Sequence, residues 1–427
     1  MEKILLSHNK HWKGLYADLY QRQVFHRLLK NLNTKHIQVL QGIRRSGKST
    51  LFKLLINHLA ESCSPMEILY LNLEDPFFTV YEDSPEKLYE LVETAEKITG
   101  GKIRYLFLDE VQAVNGWEKY IKTVYDNNEF DKIFITGSNS SLLAGRFAPL
   151  LSGRYLANMV YPLRFSEVLH INGIGSYIDL IENRSEVLSL VDGMMYYGSF
   201  VEVLDSTEEI LKRDLVSTYY ETILLKDCVA NNEIRDIKSF RELSYYLISN
   251  IASLYSYSSL AKAVGIHDKS AKQFVQYLEQ AYLLYELKLF SWSLKKQQNN
   301  RKKPYAIDNG FLNLSFRFSA NKGILLENLV FSEFVKNGRE LFFYNKRFEC
   351  DFLIKNKDNT LQAIQVCYEL NDKNTKRECR ALQKLGNHYP ISGKTIITYN
   401  QEFDMDEIEV IPFWKYFSET HEHGVQH

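Results

Sequence analysis

The sequence predicts an α/β chain: a parallel sheet first, then a helical segment, a helix-turn-helix with two strands, and a second, smaller α/β unit. Three observations carry this. Apolar strand-like runs lie at 36–41, 103–108 and 132–137, and the first passes through a glycine-containing loop into a run with apolar positions at helical spacing, Thr50 to Ile56. Helical periodicity dominates from Tyr161-Pro162 to about residue 232. Towards the C-terminus a helical run at 323–337 precedes strand-like runs at 341–344, 349–354, 361–367 and 394–399. A chain of 427 residues exceeds one ordinary core, and its length favours about two to four domains.

Hydrophobic residues make up 45% and charged residues 25%, the balance of a folded protein and not of a disordered one. The segment from Met1 to Ser7 has no signal-peptide core, and no run approaches the roughly 20 apolar residues that span a bilayer, so neither secretion nor a membrane partner is expected. Five cysteines, Cys63, Cys228, Cys350, Cys367 and Cys379, are scattered and never form a Cys-x-x-Cys pair, which suits a reducing cytoplasm. The formal net charge is −1, so any case for nucleic acid must be local.

The loop Gly42-Ile43-Arg44-Arg45-Ser46-Gly47-Lys48-Ser49, continued by Thr50, is a full Walker A motif. Glycines at 42 and 47 let successive backbone N–H groups turn inward around phosphate, and the following helix N-terminus adds positive partial charge. Lys48 is expected to reach the β- and γ-phosphates of ATP, and Ser49 to ligate Mg²⁺, which takes few protein ligands besides phosphate oxygens. The run Ile103 to Leu108 ends in Asp109-Glu110, the Walker B form. Asp109 is expected to hold Mg²⁺ and Glu110 to orient or deprotonate the attacking water. Alone, an apolar run ending in two acids would read as a strand end; the Walker A motif ahead of it reverses that.

The run Lys132 to Gly137 leads into Ser138-Asn139, where a polar side chain can sense the γ-phosphate; Ser138 is the first candidate and Asn139 the second. Arg146 and Arg154 follow closely, and either is a candidate arginine finger serving a neighbouring copy of the chain, a route to self-association.

These motifs in order, GIRRSGKS, YLFLDEVQ, IFITGSNSSLL, LSGRY and YPLRFSEVL, resemble the prokaryotic AAA-superfamily P-loop ATPases that carry a C-terminal nuclease-like domain. The resemblance runs nearly end to end. It implies a P-loop NTPase (AAA-like) core over 1–160, a helical lid over 161–235, a winged helix over 236–312 and a restriction-endonuclease-like domain over 313–427.

In the expected winged helix, Ser258 to Gly265 supplies the second helix and Asp268 caps the third. In that third helix Ala271, Phe274, Val275, Leu278 and Ala281 recur at core spacing, which leaves Lys269 and Lys272 on the outer face. Segments 285–289 and 304–307 are the wing strands, and the polar stretch Lys295 to Lys303 is an exposed wing tip. Lys295, Lys296, Arg301, Lys302 and Lys303, with Lys269 and Lys272, are the candidate DNA contacts.

In the restriction-endonuclease-like domain that the resemblance implies, Glu327 and Asp351 match the helix-acid and strand-acid positions of a metal-dependent nuclease. Gln365-Val366-Cys367 stands where an acid, an apolar residue and a lysine belong, so a degenerate domain used for binding or assembly is expected ahead of an active nuclease. Three functions share the same nucleotide chemistry: an ATPase whose nucleotide state governs DNA engagement, an ATP-gated nuclease, and an ATP-bound switch acting on protein partners.

Overall fold

The computed structural model describes residues 1–140, 148–314, 321–346 and 348–418. It divides into two compact units, Met1–Tyr161 and Pro162–His427.

The first unit is a five-stranded parallel sheet in the order β2-β3-β4-β1-β5, with β1 at Ile37–Gln41, β2 at Ile68–Asn72, β3 at Tyr105–Asp109, β4 at Lys132–Gly137 and β5 at Tyr155–Met159. Side chains alternate across a strand, so neighbouring residues feed opposite cores. Val39, Leu106, Leu108, Ile133 and Ile135 pack on one face, and Leu40, Phe107 and Phe134 on the other. Phe107 and Phe134 stack at 4.2 Å, and Phe52 meets Phe107 edge-on at 5.1 Å. Those rings fix the helix Lys48–Leu59 against the sheet and so aim its N-terminus. β1 lies between β4 and β5, which places the loop after it at the carboxyl edge where strand order reverses.

The second unit opens with helices at Phe165–Ile171, Tyr177–Glu182, Arg184–Tyr197, Val201–Asp205 and Glu209–Thr222, the last continuing as a π-helical stretch over Ile223–Ala230. This segment, expected as a lid, is bound into the second unit. Lys336 Nζ donates to the Leu163 carbonyl (2.9 Å) and the Ser199 hydroxyl (3.1 Å), and Asp308 accepts from Ser199 N–H at 2.7 Å. Gly198 has φ +87°, and a Cβ there would stand 1.8 Å from Asp308 Oδ1, so only glycine fits.

Helices follow at Ile237–Ser249, Tyr257–Val264 and Asp268–Gln280, then the antiparallel pair β6 (Leu284–Lys288) and β7 (Lys302–Ala306). Gly265, at φ +78°, ends the second helix. His267 is the N-cap of the third, and Asp268 is its first residue instead of its cap. The stretch between the strands is not a loop: Leu294–Asn299 is helical, and both Lys302 and Lys303 are buried in β7.

The helix Lys322–Lys336 leads to a six-stranded sheet in the order β12-β13-β11-β10-β9-β8. Its strands are β8 (Glu340–Asn345), β9 (Glu349–Lys355), β10 (Leu361–Cys367), β11 (Ile391–Thr398), β12 (Phe403–Met405) and β13 (Ile408–Pro412). The helix Thr375–Gly386 connects the parallel pair β10 and β11. Among the described residues no helix is long and apolar enough to cross a membrane, and the five cysteines are free thiols.

Candidate nucleotide site and C-terminal cavity

The loop from Gly42 to Ser49 joins β1 to the helix Lys48–Leu59, and Thr50 lies in that helix's first turn. Arg45 (φ +67°) and Gly47 (φ +94°) take left-handed backbone, which curls the loop. At Gly42 a Cβ would lie 1.8 Å from the Val160 carbonyl oxygen, so the chain leaving β5 packs against the loop only because position 42 has no side chain. Arg22 braces the same loop, donating to the carbonyls of Ser46 (2.8 Å) and Tyr161 (3.0 Å). Arg44 pairs with Glu74 at 2.9 Å, and Ile43 is buried.

Lys48 Nζ donates to the carbonyls of Gly42 (3.0 Å) and Ile43 (3.2 Å) and lies 3.8 Å from Glu110 Oε1. Asp109, at the end of β3, is held from three sides. Tyr70 donates to its Oδ2 at 2.9 Å, Thr136 donates to Oδ1, and the Ser49 hydroxyl bonds the same carboxylate. Burial, then the neighbouring Glu110, pushes the Asp109 carboxyl above its ordinary range. Glu110 sits in left-handed backbone at φ +52°. Its N–H donates to Thr136 Oγ1 at 2.9 Å, and Gln112 Nε2 donates to its carboxylate at 2.5 Å and approaches Ser138 Oγ at 3.5 Å.

Lys48, Ser49, Asp109, Glu110 and Ser138 therefore come together at one edge of the sheet. Asn139 follows Ser138 and is buried too. Arg154 does not join them: its carbonyl accepts from Ile37 N–H at the opposite end of β1, and its guanidinium pairs with Asp126 at 2.9 Å. Arg146 lies outside the described residues. The sequence does not announce Tyr70, Thr136, Gln112 or Arg22, because each acts through a contact with a residue that no motif marks as its partner.

This edge suits a nucleotide and its metal ion. The Ser46 hydroxyl is buried with no protein partner inside the loop, and Gln112 Oε1 is likewise unsatisfied beside Glu110. The hydroxyl of Ser49 and the carboxylate of Asp109 are already neighbours, the oxygen pair that Mg²⁺ takes.

A second concentration of charge lies in the C-terminal unit, in a cavity of about 940 Å³ that includes Glu327, Asp351 and Gln365. Asp351 Oδ2 accepts from Val366 N–H at 2.9 Å, and Gln365 Oε1 approaches the Asp351 N–H at 3.4 Å. Glu327 accepts from Tyr305 at 2.6 Å. Burial raises both carboxyls, and for Asp351 the charge of Glu327 adds to it. β10 carries Cys367 and no lysine, and an ammonium reaches this cavity from another strand. Lys303 on β7 places its ammonium 3.8 Å from Glu327 and 2.8 Å from Glu349. Its expected place on an exposed wing tip is thereby corrected. Lys302 is corrected with it, since its Nζ donates to the Gln298 carbonyl at 3.2 Å and lies 4.4 Å from the Tyr257 ring centre. Lys269, Lys272, Lys295, Lys296 and Arg301 are exposed. Among the described residues no group of three or more His, Cys, Asp or Glu side chains is arranged to hold a metal ion.

The parallel sheet with its Walker A loop and the Asp109-Glu110 strand end define an AAA-type P-loop ATPase fold, and residues 34–169 match the family described as an AAA domain. Residues 189–322 and 322–416 match two families described as domains of unknown function, DUF8612 and DUF4143. The chain belongs to the family of the uncharacterized protein MJ1544 of Methanocaldococcus jannaschii, with 33% identity covering 94% of this chain and 91% of that one. An uncharacterized protein of Haemophilus influenzae is 29% identical over 92% of this chain and 97% of its own. Among solved structures, the Walker-type ATPase PABY2304 of Pyrococcus abyssi is similar at a TM-score of 0.40 and 14% identity, covering 70% of this chain and 97% of that one.

Proposed function

We propose that the chain is a Mg²⁺-dependent ATPase whose nucleotide state governs its engagement of DNA. The observation that carries the first half is the clamp on Asp109 by Tyr70, Thr136 and Ser49, with Glu110 beside it and Lys48 within 3.8 Å of Glu110. In this reading backbone N–H groups of the loop from Gly42 to Lys48 and the Lys48 ammonium bind the phosphates. Ser49 and Asp109 would hold Mg²⁺, which when bound would neutralise phosphate charge. Glu110, steered by Gln112, orients water for in-line attack, and Ser138 reports the γ-phosphate through the same glutamine.

The DNA half rests on the segment of three helices and an antiparallel pair over 237–306, an order that supports a winged-helix reading. Lys269 and Lys272 on the outer face of the third helix and Lys295, Lys296 and Arg301 between the strands are its exposed cations. An ATPase assay across protein concentration, with and without DNA, tests the whole. We expect turnover that needs Mg²⁺, is lost in Lys48→Ala and rises with DNA. Turnover that persists in Lys48→Ala would refute the site, and a rate indifferent to DNA would refute the coupling.

A further inference from the structure

The C-terminal cavity gathers cations that the nucleotide chemistry leaves unused. Its wall is the helix Thr375–Gly386, where Lys376, Arg380 and Lys384 recur every four residues and so form one row. Lys376 and Arg380 are exposed, and Lys384 reaches to 6.0 Å from the ring centre of Phe348, an aromatic side chain that also lines the cavity. Lys303, which is 2% exposed, lines the same cavity. Burial by itself disfavours the Lys303 charge, but the carboxylates of Glu327, Asp351 and Glu349 outweigh it and hold the ammonium above its ordinary value.

A buried ammonium and a row of spaced cations lining one cavity, with a half-buried aromatic ring among them, is the set of contacts that a nucleic-acid strand takes: phosphates on the cations and a base on the ring. The burial of Lys303 bears on the form of DNA. The cavity, of about 940 Å³, is open to solvent, but Lys303 within its lining is 2% exposed, so a flexible strand or strand end reaches it more readily than the rigid backbone of a duplex. We infer that this cavity is a binding site for single-stranded DNA or a strand end, in which Lys303, supplied by β7, contacts a phosphate, Lys376, Arg380 and Lys384 track the backbone, and Phe348 stacks on a base. Lys303 thus takes the place of the lysine that Cys367 displaces on β10. With Gln365 standing where an acid would be needed to hold a cleavage metal ion, the site holds the strand and does not cut it. The inference rests on the DNA engagement proposed above and moves a principal contact from the exposed cations at 295–301 to this interior.

Anisotropy titrations of a fluorescein-labelled single-stranded DNA oligonucleotide with the full chain test it. Lys303→Gln should weaken binding about tenfold or more, the scale of a lost charge-assisted hydrogen bond. Lys376→Gln with Arg380→Gln should lower the slope of log K against log salt by about 0.7 for each phosphate contact removed. Phe348→Ala should weaken binding at every salt concentration. Glu349→Gln gives a readout of opposite sign that a merely structural role would not produce. Releasing the ammonium from its 2.8 Å partner should tighten binding, and this variant keeps the test open should Lys303→Gln fail to fold. If the wild-type chain binds the oligonucleotide but all four changes leave affinity and salt slope unaltered, the cavity assignment falls and the DNA reading stands. If the wild-type chain binds no DNA, both fall.

Discussion

Tyr70, at the third position of β2, donates its phenolic hydrogen to Oδ2 of Asp109 at 2.9 Å, from the strand neighbouring the one that Asp109 ends. The bond helps set how the carboxylate is turned towards Ser49. Tyr70→Phe removes the donor without changing the ring, so Asp109 keeps its place but loses one of its three clamps. Such a bond to a carboxylate is worth about 1.5–3 kcal/mol. We expect ATP turnover to fall about tenfold or more with nucleotide affinity nearly kept, as measured by steady-state hydrolysis beside fluorescent-nucleotide binding.

Gly42→Ala tests the loop itself. Its Cβ would be 1.8 Å from the Val160 carbonyl oxygen, a backbone atom that cannot rotate away. Either the chain at Val160 or the loop must shift, so thermal denaturation should show a lower midpoint and nucleotide binding should weaken sharply. An alanine variant that melts and binds as the wild type does would show that the loop is not packed this way.

The pH dependence of stability is set in part by Glu279. Burial, then the charge of Glu286, raises its carboxyl to about 7, while Lys288 and Lys302 oppose the rise and the phenols of Tyr255 and Tyr257 bond Glu286 nearby. The native state binds this proton more tightly than the unfolded chain does. The contribution to stability is therefore fully present below the unfolded pKa of about 4.3 and is lost as pH rises through about 7, at roughly 1.4 kcal/mol for each pH unit between those two values. Melting temperatures followed from about pH 5 to about pH 8 should fall as pH rises, and Glu279→Gln should flatten that part of the profile.

Arg154 is paired with Asp126 at the end of the sheet remote from the Walker A loop. Arg154→Ala should leave the turnover rate per chain unchanged at low protein concentration, because the side chain reaches no phosphate in its own subunit. A loss of turnover there, with folding intact by circular dichroism, would contradict that placement.

The parts of the site that follow from local chemistry are legible in the sequence. The Walker A loop, the Asp109-Glu110 strand end and the approach of Ser138 each depend on a strand followed directly by special residues, and the three lie together at the sheet edge. Two strands of the sheet escape a reading of the sequence. The run Ile68 to Asn72 is apolar but short, and Tyr155 to Met159 carries Asn158, which is buried and bonds Gln38 at 3.0 Å instead of marking a loop. Tyr70, Thr136, Gln112 and Arg22 act through contacts that only the folded chain creates, and no spacing along the sequence announces them. Lys302 and Lys303 mislead for another reason. A run of cations beside glutamines and asparagines reads as solvated surface, yet the pairing of β7 with β6 carries its last two lysines indoors, where carbonyls, an aromatic ring and three carboxylates accept them.

In the proposed mechanism, hydrolysis of the nucleotide turns on Glu110. Glu110→Gln keeps the shape and removes the charge. Measured side by side for ATP affinity in Mg²⁺ and for phosphate release, the variant should bind ATP about as well as the wild type and release phosphate at least about 10²-fold more slowly. Phosphate release at the wild-type rate would contradict this assignment.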